Sequence, residues 1–199
     1  MLKRVVVCIS GASGTIYAIR LLKILKSLKS KYNLESHLVI SKFAAINIKL
    51  ETKFSLDQVI ELADVYHANK NLGAIIASGS FLFDSVIVIP CSMKTLSAIS
   101  NGYEENLISR VSHVAIKEKR PLLLAIRETP LNSIHIKNML ILSNIGAFIC
   151  PLVSNFYNNP QNIQEMIDYS IYRMLDLLDI REEDLNRWQG IKNHLSLNE

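Results

Sequence analysis

Val86-Ile87-Val88-Ile89, an unbroken β-branched run closed by Pro90, constrains the fold more than any other part of this chain. A strand with no polar face must be covered on both sides, as strands inside a parallel sheet are. Pro90 cannot donate to a ladder, so the strand ends there, and the residues that follow take up helical spacing. Comparable apolar runs occupy residues 4–9, 36–40, 122–126 and 147–150. Helical patterns lie between and beyond them, over 16–31, 44–50, 56–63, 95–100, 106–119, 133–145 and 163–178. This alternation predicts right-handed βαβ units and an α/β fold, a doubly wound parallel sheet with helices on both faces. With no internal repeat and no linker, 199 residues predict a single domain.

Composition narrows the function classes. Hydrophobic residues make up 49% and charged residues 20%, enough apolar material for a full core, so a disordered chain is excluded. The net charge of +4 is too small and too dispersed for a nucleic-acid binder, although it suits small anions. No apolar stretch reaches the ~18 residues of a membrane span. The N-terminus runs straight into an apolar strand with no signal-peptide pattern, so a cytoplasmic location is expected. Cys8, Cys91 and Cys150 are far apart and read as buried free thiols. The five histidines are scattered, which predicts no metal site. Positive mean hydropathy predicts apolar surface covered by other subunits of a homo-oligomer.

In an open parallel sheet, ligands bind beyond the carboxyl ends of the strands. The first such end carries Ser10-Gly11-Ala12-Ser13-Gly14, which lacks the Gly-x-Gly-x-x-Gly and Gly-Lys-Ser/Thr patterns of dinucleotide and ATP sites. It reads either as a capped turn or as a ligand contact. Ser41 follows the second end and either caps the next helix or touches a ligand; Glu51 closes that helix, where an exposed carboxylate is the default. Ser92, Met93, Lys94 and Thr95 follow Pro90-Cys91 and bring hydroxyls, backbone N–H groups and a cation to a helix N-terminus, which is where a phosphate is held. Arg127 and Glu128 precede Pro130 and form either a surface ion pair or a group that positions an anion and moves a proton. Lys117, Tyr157, Arg173 and Trp188 are each, taken alone, ordinary solvated or tail-clipping residues.

Together these segments resemble the UbiX-type flavin prenyltransferases. The likeness runs nearly end to end through Gly11-Ala12-Ser13-Gly14, Gly79-Ser80-Phe81, Pro90-Cys91-Ser92-Met93-Lys94-Thr95, Asn106 to Arg110, Lys117-Glu118, Arg127-Glu128-Thr129-Pro130-Leu131, Asn138-Met139 and Phe156-Tyr157. The resemblance implies a flavodoxin-like or Rossmann-like fold assembled as a homo-oligomer, a dodecamer, that acts without metal. It implies transfer of a dimethylallyl group from dimethylallyl phosphate to N5 and C6 of reduced FMN. The product would serve UbiD-type decarboxylases, as in ubiquinone biosynthesis.

By motif matching, Gly11, Ala12, Ser13, Ser41, Ser92, Met93, Lys94, Thr95 and Arg127 are the expected FMN contacts, with Arg110 close to the phosphates. Lys117, Tyr157 and Arg173 are the expected prenyl-phosphate clamp, Trp188 an aromatic that closes the site, and Glu128, Glu51 and Ser13 the proton-handling set. Residues 1–180 form the expected flavoprotein domain and 181–199 a tail. Ser112-His113-Val114, Lys119-Arg120 and Phe83 depart from the family's usual residues. The alternative is an FMN-dependent decarboxylase of the cysteine-decarboxylase type, which carries a histidine shortly before its Pro-Ala-Ser-Ala-Asn-Thr-like loop. Residues 73–89 contain none.

Overall fold

The structure is a computed structural model that describes residues 2–156, 158–182 and 187; Tyr157 and Trp188 lie outside the described residues. Six strands form one sheet: β1 (Lys3–Ile9), β2 (Leu34–Ile40), β3 (Val65–Ala68), β4 (Ser85–Cys91), β5 (Leu122–Ile126) and β6 (Phe148–Ile149). Their order is β3-β2-β1-β4-β5-β6 and every neighbouring pair is parallel. The chain winds outward from β1 to β3, then returns to lay β4 against the other side of β1. That reversal opens a crevice beyond the carboxyl ends of β1 and β4, where sheets of this order place ligands.

All seven residues of β4 are buried, as are Val5 to Ile9 of β1, which explains their unbroken apolar sequence. On one face Val6, Cys8, Val39, Val86 and Val88 pack in a cluster with Leu107, Val111 and Val114 of α6 (Leu107–Lys117). The other helices of the sheet unit are α1 (Thr15–Ser27), α2 (Lys29–Tyr32), α3 (Lys42–Glu51), α4 (Leu56–Ile60), α5 (Met93–Ser100) and α7 (Ser133–Asn144). The expected helix over 16–31 is broken at Leu28, which caps α1 and starts the single turn of α2.

Strand β3 has no counterpart among the predicted strands. It is four residues long and mostly exposed at the sheet edge, so it shows neither a buried run nor a clean alternation. Residues up to Leu152 form one compact unit; those from Val153 form a second, which carries α8 (Ile163–Asp176). Among the described residues no helix is long and apolar enough to cross a membrane. Cys8 and Cys91 are buried free thiols and Cys150 is half-buried; burial pushes Cys91 up to about 12 and Cys150 up to about 11, and Cys8 higher still. Thiols of this kind are unreactive packing residues.

Candidate functional site at the carboxyl ends of the strands

A cleft of about 320 Å³ opens at the switch point. Gly11 after β1, Ser41 to Phe43 after β2 and Asn69 after β3 line it, with Ser92, Lys94, Thr95 and Ala98 after β4. Glu105, Asn106, Ile108 and Ser109, around the start of α6, close the remaining wall. The turns are tied to one another. Ser10 Oγ donates to the Pro90 carbonyl at 2.8 Å and accepts from the Ser92 N–H at 2.8 Å, which joins the ends of β1 and β4. Gly11 is required by close approach, since a Cβ there would stand 2.7 Å from Phe43 Cβ. Gly14 sits at φ 101, in the left-handed region that glycine enters without strain.

Each helix start leaves N–H groups that need acceptors, and the protein deals with them in two ways. At α3, Ser41 Oγ accepts from the Ala44 N–H at 3.1 Å, while the Lys42 and Phe43 N–H groups have no acceptor among the described residues. At α5, Ser92 Oγ accepts from the Thr95 N–H at 3.3 Å and donates to Thr95 Oγ1 at 3.1 Å; the Met93 and Lys94 N–H groups are likewise open. Both open ends border the cleft.

At α1 and α6 protein groups take the outermost N–H groups. The Glu51 carboxylate accepts from the Gly14 N–H, the Thr15 N–H and Thr15 Oγ1 at 2.9, 2.9 and 2.8 Å, occupying the start of α1. At α6 the Asn69 carbonyl accepts from the Leu107 N–H at 2.8 Å and Asn69 Oδ1 from the Ile108 N–H at 3.1 Å. Asn106 Oδ1 takes the Ser109 N–H at 3.2 Å. Two open helix ends with positive dipoles, the hydroxyls of Ser41, Ser92 and Thr95 and two lysines thus converge on one cleft, an arrangement suited to an oxyanion.

The remaining expected residues fall in several places. Ala12 is buried and its carbonyl accepts from Asn47 Nδ2 at 3.1 Å. Ser13 hydrogen-bonds to Glu51. Burial raises the Glu51 carboxyl, but its hydrogen bonds from Thr15, Gly14 and Ser13 outweigh that and hold it below the ordinary carboxylate range. Met93 packs on the core cluster as well as starting α5. Lys94 is largely exposed and pairs with Glu105 at 3.1 Å. Arg127 and Glu128 are exposed just past β5, on the same sheet edge as the cleft, with Glu128 Oε1 accepting from the Thr129 N–H at 3.0 Å before a cis Pro130.

Arg110 donates to Glu104 at 2.6 Å and to the Ala77 carbonyl at 3.0 Å rather than lining the cleft. Lys117 lies at the opposite edge of the sheet, not on the rim. It ends α6, which runs back toward the start of β5, and pairs with Glu118 beside Gly79. Arg120 fastens that loop by donating to the Gly79 and Phe81 carbonyls at 2.7 and 2.8 Å while its guanidinium stacks 4.4 Å from the Phe83 ring, which gives Phe83 its role here. Within the second unit Arg173 donates to Asp176 at 2.7 Å, and Arg187 grips the same carboxylate at 2.6 and 2.8 Å. Those three residues, with Arg181 and Glu182, border a cavity of about 440 Å³.

Asn69 and Glu105 carry no motif in the sequence, and Ser10, although it opens the glycine turn, gives no sign there that it ties β1 to β4. Topology was the available signal for Lys117, because a crossover helix must deliver its C-terminus to the start of the next parallel strand.

The chain matches the Flavoprotein family model over residues 2–182. Flavin prenyltransferase LpdB of Lactiplantibacillus plantarum is 46% identical, with 95% of this chain and 100% of that protein covered. The crystal structure of AnUbiX in complex with FMN and dimethylallyl pyrophosphate superposes with a TM-score of 0.92 at 45% identity, covering 96% of this chain and 100% of that one. A dodecameric FMN-dependent Ubix-like decarboxylase from Escherichia coli O157:H7 superposes at 0.90 and 41% identity, covering 94% and 100%. Peptidyl-cysteine decarboxylase EpiD, at 17% identity and a TM-score of 0.58 over 75% of this chain and 82% of that one, shares the fold alone. A glycine turn, two open helix ends at a doubly wound switch point, and near-full-length identity of this order lead to one conclusion: the chain belongs to the flavoprotein family, among its UbiX-type flavin prenyltransferases.

Proposed function

We propose that this protein transfers a dimethylallyl group from dimethylallyl phosphate to N5 and C6 of reduced FMN. The observation that carries this reading is the convergence of two open helix N-termini on the cleft, where the FMN phosphate fits the N–H groups of Lys42, Phe43, Met93 and Lys94 and the hydroxyls of Ser41, Ser92 and Thr95. Gly11, Ala12 and Ser13 form the adjoining turn against which a flat ring system lies, and Arg127 extends from the neighbouring strand end.

In the transfer the C1–O bond of the donor breaks with its electron pair going to phosphate, while C1 bonds to N5, whose hydrogen leaves as the proton that the phosphate takes up. Ring closure then adds C6 and its hydrogen across the remaining double bond, so no net oxidation occurs. Glu128 is the group assigned to pass a proton to the departing phosphate, and Ser13 with Glu51 the pair assigned to relay one at the flavin. The donor phosphate builds negative charge as it leaves, which fixed cations stabilise. By the family resemblance Lys117, Tyr157 and Arg173 are the residues assigned to that clamp, Trp188 is the aromatic assigned to closing the site, and Arg110 orders the wall through Glu104 and the Ala77 carbonyl.

Lys117 lies on the far sheet edge of its own chain. Its service at the donor site therefore requires a second copy of the protein, as in a dodecamer. The product would pass to a UbiD-type decarboxylase in the cytoplasm. A free-cysteine or peptidyl-cysteine decarboxylase reading has no observation in its favour, since residues 73–89 supply no histidine.

Incubation with reduced FMN and dimethylallyl phosphate should yield flavin with a five-carbon addition; unmodified flavin from FMN-loaded protein would overturn the reading. Glu128→Gln should slow turnover by about 100-fold or more while leaving FMN affinity within about threefold. Mixing K117A with E128Q subunits should restore part of the activity that each variant lacks alone, and no restoration in mixed oligomers would contradict the second-copy role.

A further inference from the structure

A row of polar side chains crosses the sheet on the face that carries Val6 and Val39, and the transfer chemistry uses none of it. Arg4 of β1 donates to Glu35 at 2.7 Å, Glu35 Oε1 lies 3.0 Å from Nε2 of the buried His37, and His37 Nδ1 lies 2.9 Å from His67 Nε2. The two imidazoles stack nearly parallel, 5.3 Å apart, and Phe81 closes edge-on against His37 while its ring takes the Arg4 guanidinium at 5.0 Å.

An ionised carboxylate only accepts, so Glu35 fixes the His37 proton on Nε2 and leaves Nδ1 to accept from the Nε2–H of His67. His67 belongs to the short edge strand β3, and two residues later Asn69 holds the Leu107 and Ile108 N–H groups that close α6. Asn69 and Ile108 both line the cleft.

We propose that His67 is a positioning residue: through its hydrogen bond to His37 it fixes the end of β3, hence Asn69 and the α6 wall of the cleft, and makes that wall sensitive to pH. The groups facing the pair are Arg4 from β1, Glu35 from β2 and the uncharged Phe81 from the loop before β4; Asp84 of that loop accepts from the Arg4 N–H at 2.6 Å. In the closed wall, burial lowers the His67 pKa. An opened strand therefore binds the proton better, and opening is favoured as pH falls below the ordinary imidazole range, by up to about tenfold between pH 7.5 and 5.5.

Hydrogen exchange of the Leu107 and Ile108 amides, corrected for the intrinsic effect of pH, tests this without any ligand. Wild-type exchange should accelerate by up to about tenfold from pH 7.5 to 5.5. In H67Q, whose amide donates to His37 without titrating, it should not. In N69A the Ile108 amide should exchange fast at both pH values. Exchange indifferent to pH in wild type, or equally pH-dependent in H67Q, would overturn the proposal.

A second arm rests on the flavin reading of the cleft. Riboflavin affinity should weaken on acidification in wild type and not in H67Q, whereas FMN keeps its own phosphate titration, near pH 6, in both. Riboflavin weakening equally in both variants would count against the coupling. A protein that binds neither flavin would sink the flavin reading while the exchange result still decides the role of His67.

Discussion

Helices α5 and α6 follow one another in the chain and start at the same wall of the cleft, yet their N-termini are finished in opposite ways. Ser92 satisfies one N–H of α5 and leaves Met93 and Lys94 open, whereas Asn69 and Asn106 between them take the Leu107, Ile108 and Ser109 N–H groups of α6. A related contrast separates α3, open beyond Ser41, from α1, whose first N–H groups meet the Glu51 carboxylate. An open end is a place for a ligand's charge, while a closed end is a wall that keeps its shape without one. The glycine turn before α1 is not offered to a ligand's charge in the same way, because the Glu51 carboxylate already occupies that helix end.

This contrast can be broken one helix at a time. The largest effect is expected at Met93, the first residue of α5, where proline suits the backbone and removes an N–H together with the side chain's packing on the core cluster. M93P should weaken FMN binding relative to riboflavin by about 10- to 100-fold more than M93A, which loses the same packing and keeps the N–H. Next, S92A removes both a cap and a phosphate-facing hydroxyl. It should lower unfolding stability by about 1 kcal/mol and also weaken FMN relative to riboflavin. N106A, the matching change at α6, should cost about 1 kcal/mol in stability but shift FMN and riboflavin affinities together, because Asn106 belongs to neither open helix end.

The smallest effect is expected at Glu51. Its folded pKa is depressed, so it contributes stability that is present above its unfolded value, near 4.3, and is lost as pH falls from there through the folded value. E51Q should remove that part of the acid-side dependence, seen as a flatter profile of melting temperature below about pH 5.

Much of this was legible in the residues. The buried run Val86 to Ile89 located the central strand, and the hydroxyls and lysine after Pro90 marked the start of α5, which the structure leaves with two open N–H groups beside the cleft. Local chemistry sufficed there because a cap and its helix are neighbours in sequence. Where the partners are distant the signal vanished. Glu51 reads as an exposed helix-end carboxylate, yet it caps a helix that starts 36 positions earlier. Asn69 looks like an unremarkable loop residue because its acceptors serve amides 38 and 39 positions away. Strand β3 was hidden by its length and its exposure. Lys117 matched a motif, but a motif has no direction, and only the crossover shows that its side of the sheet is the wrong one within a single chain.

The central claim is that the open ends of α3 and α5 hold a phosphate. The most direct test is the ratio of FMN to riboflavin affinity for the wild-type protein, measured in one buffer near pH 7.5. Charge-assisted hydrogen bonds from several fixed N–H groups predict FMN tighter by about 100-fold or more. Equal affinities would contradict the account, because the two flavins differ only in the group those helix ends are held to bind.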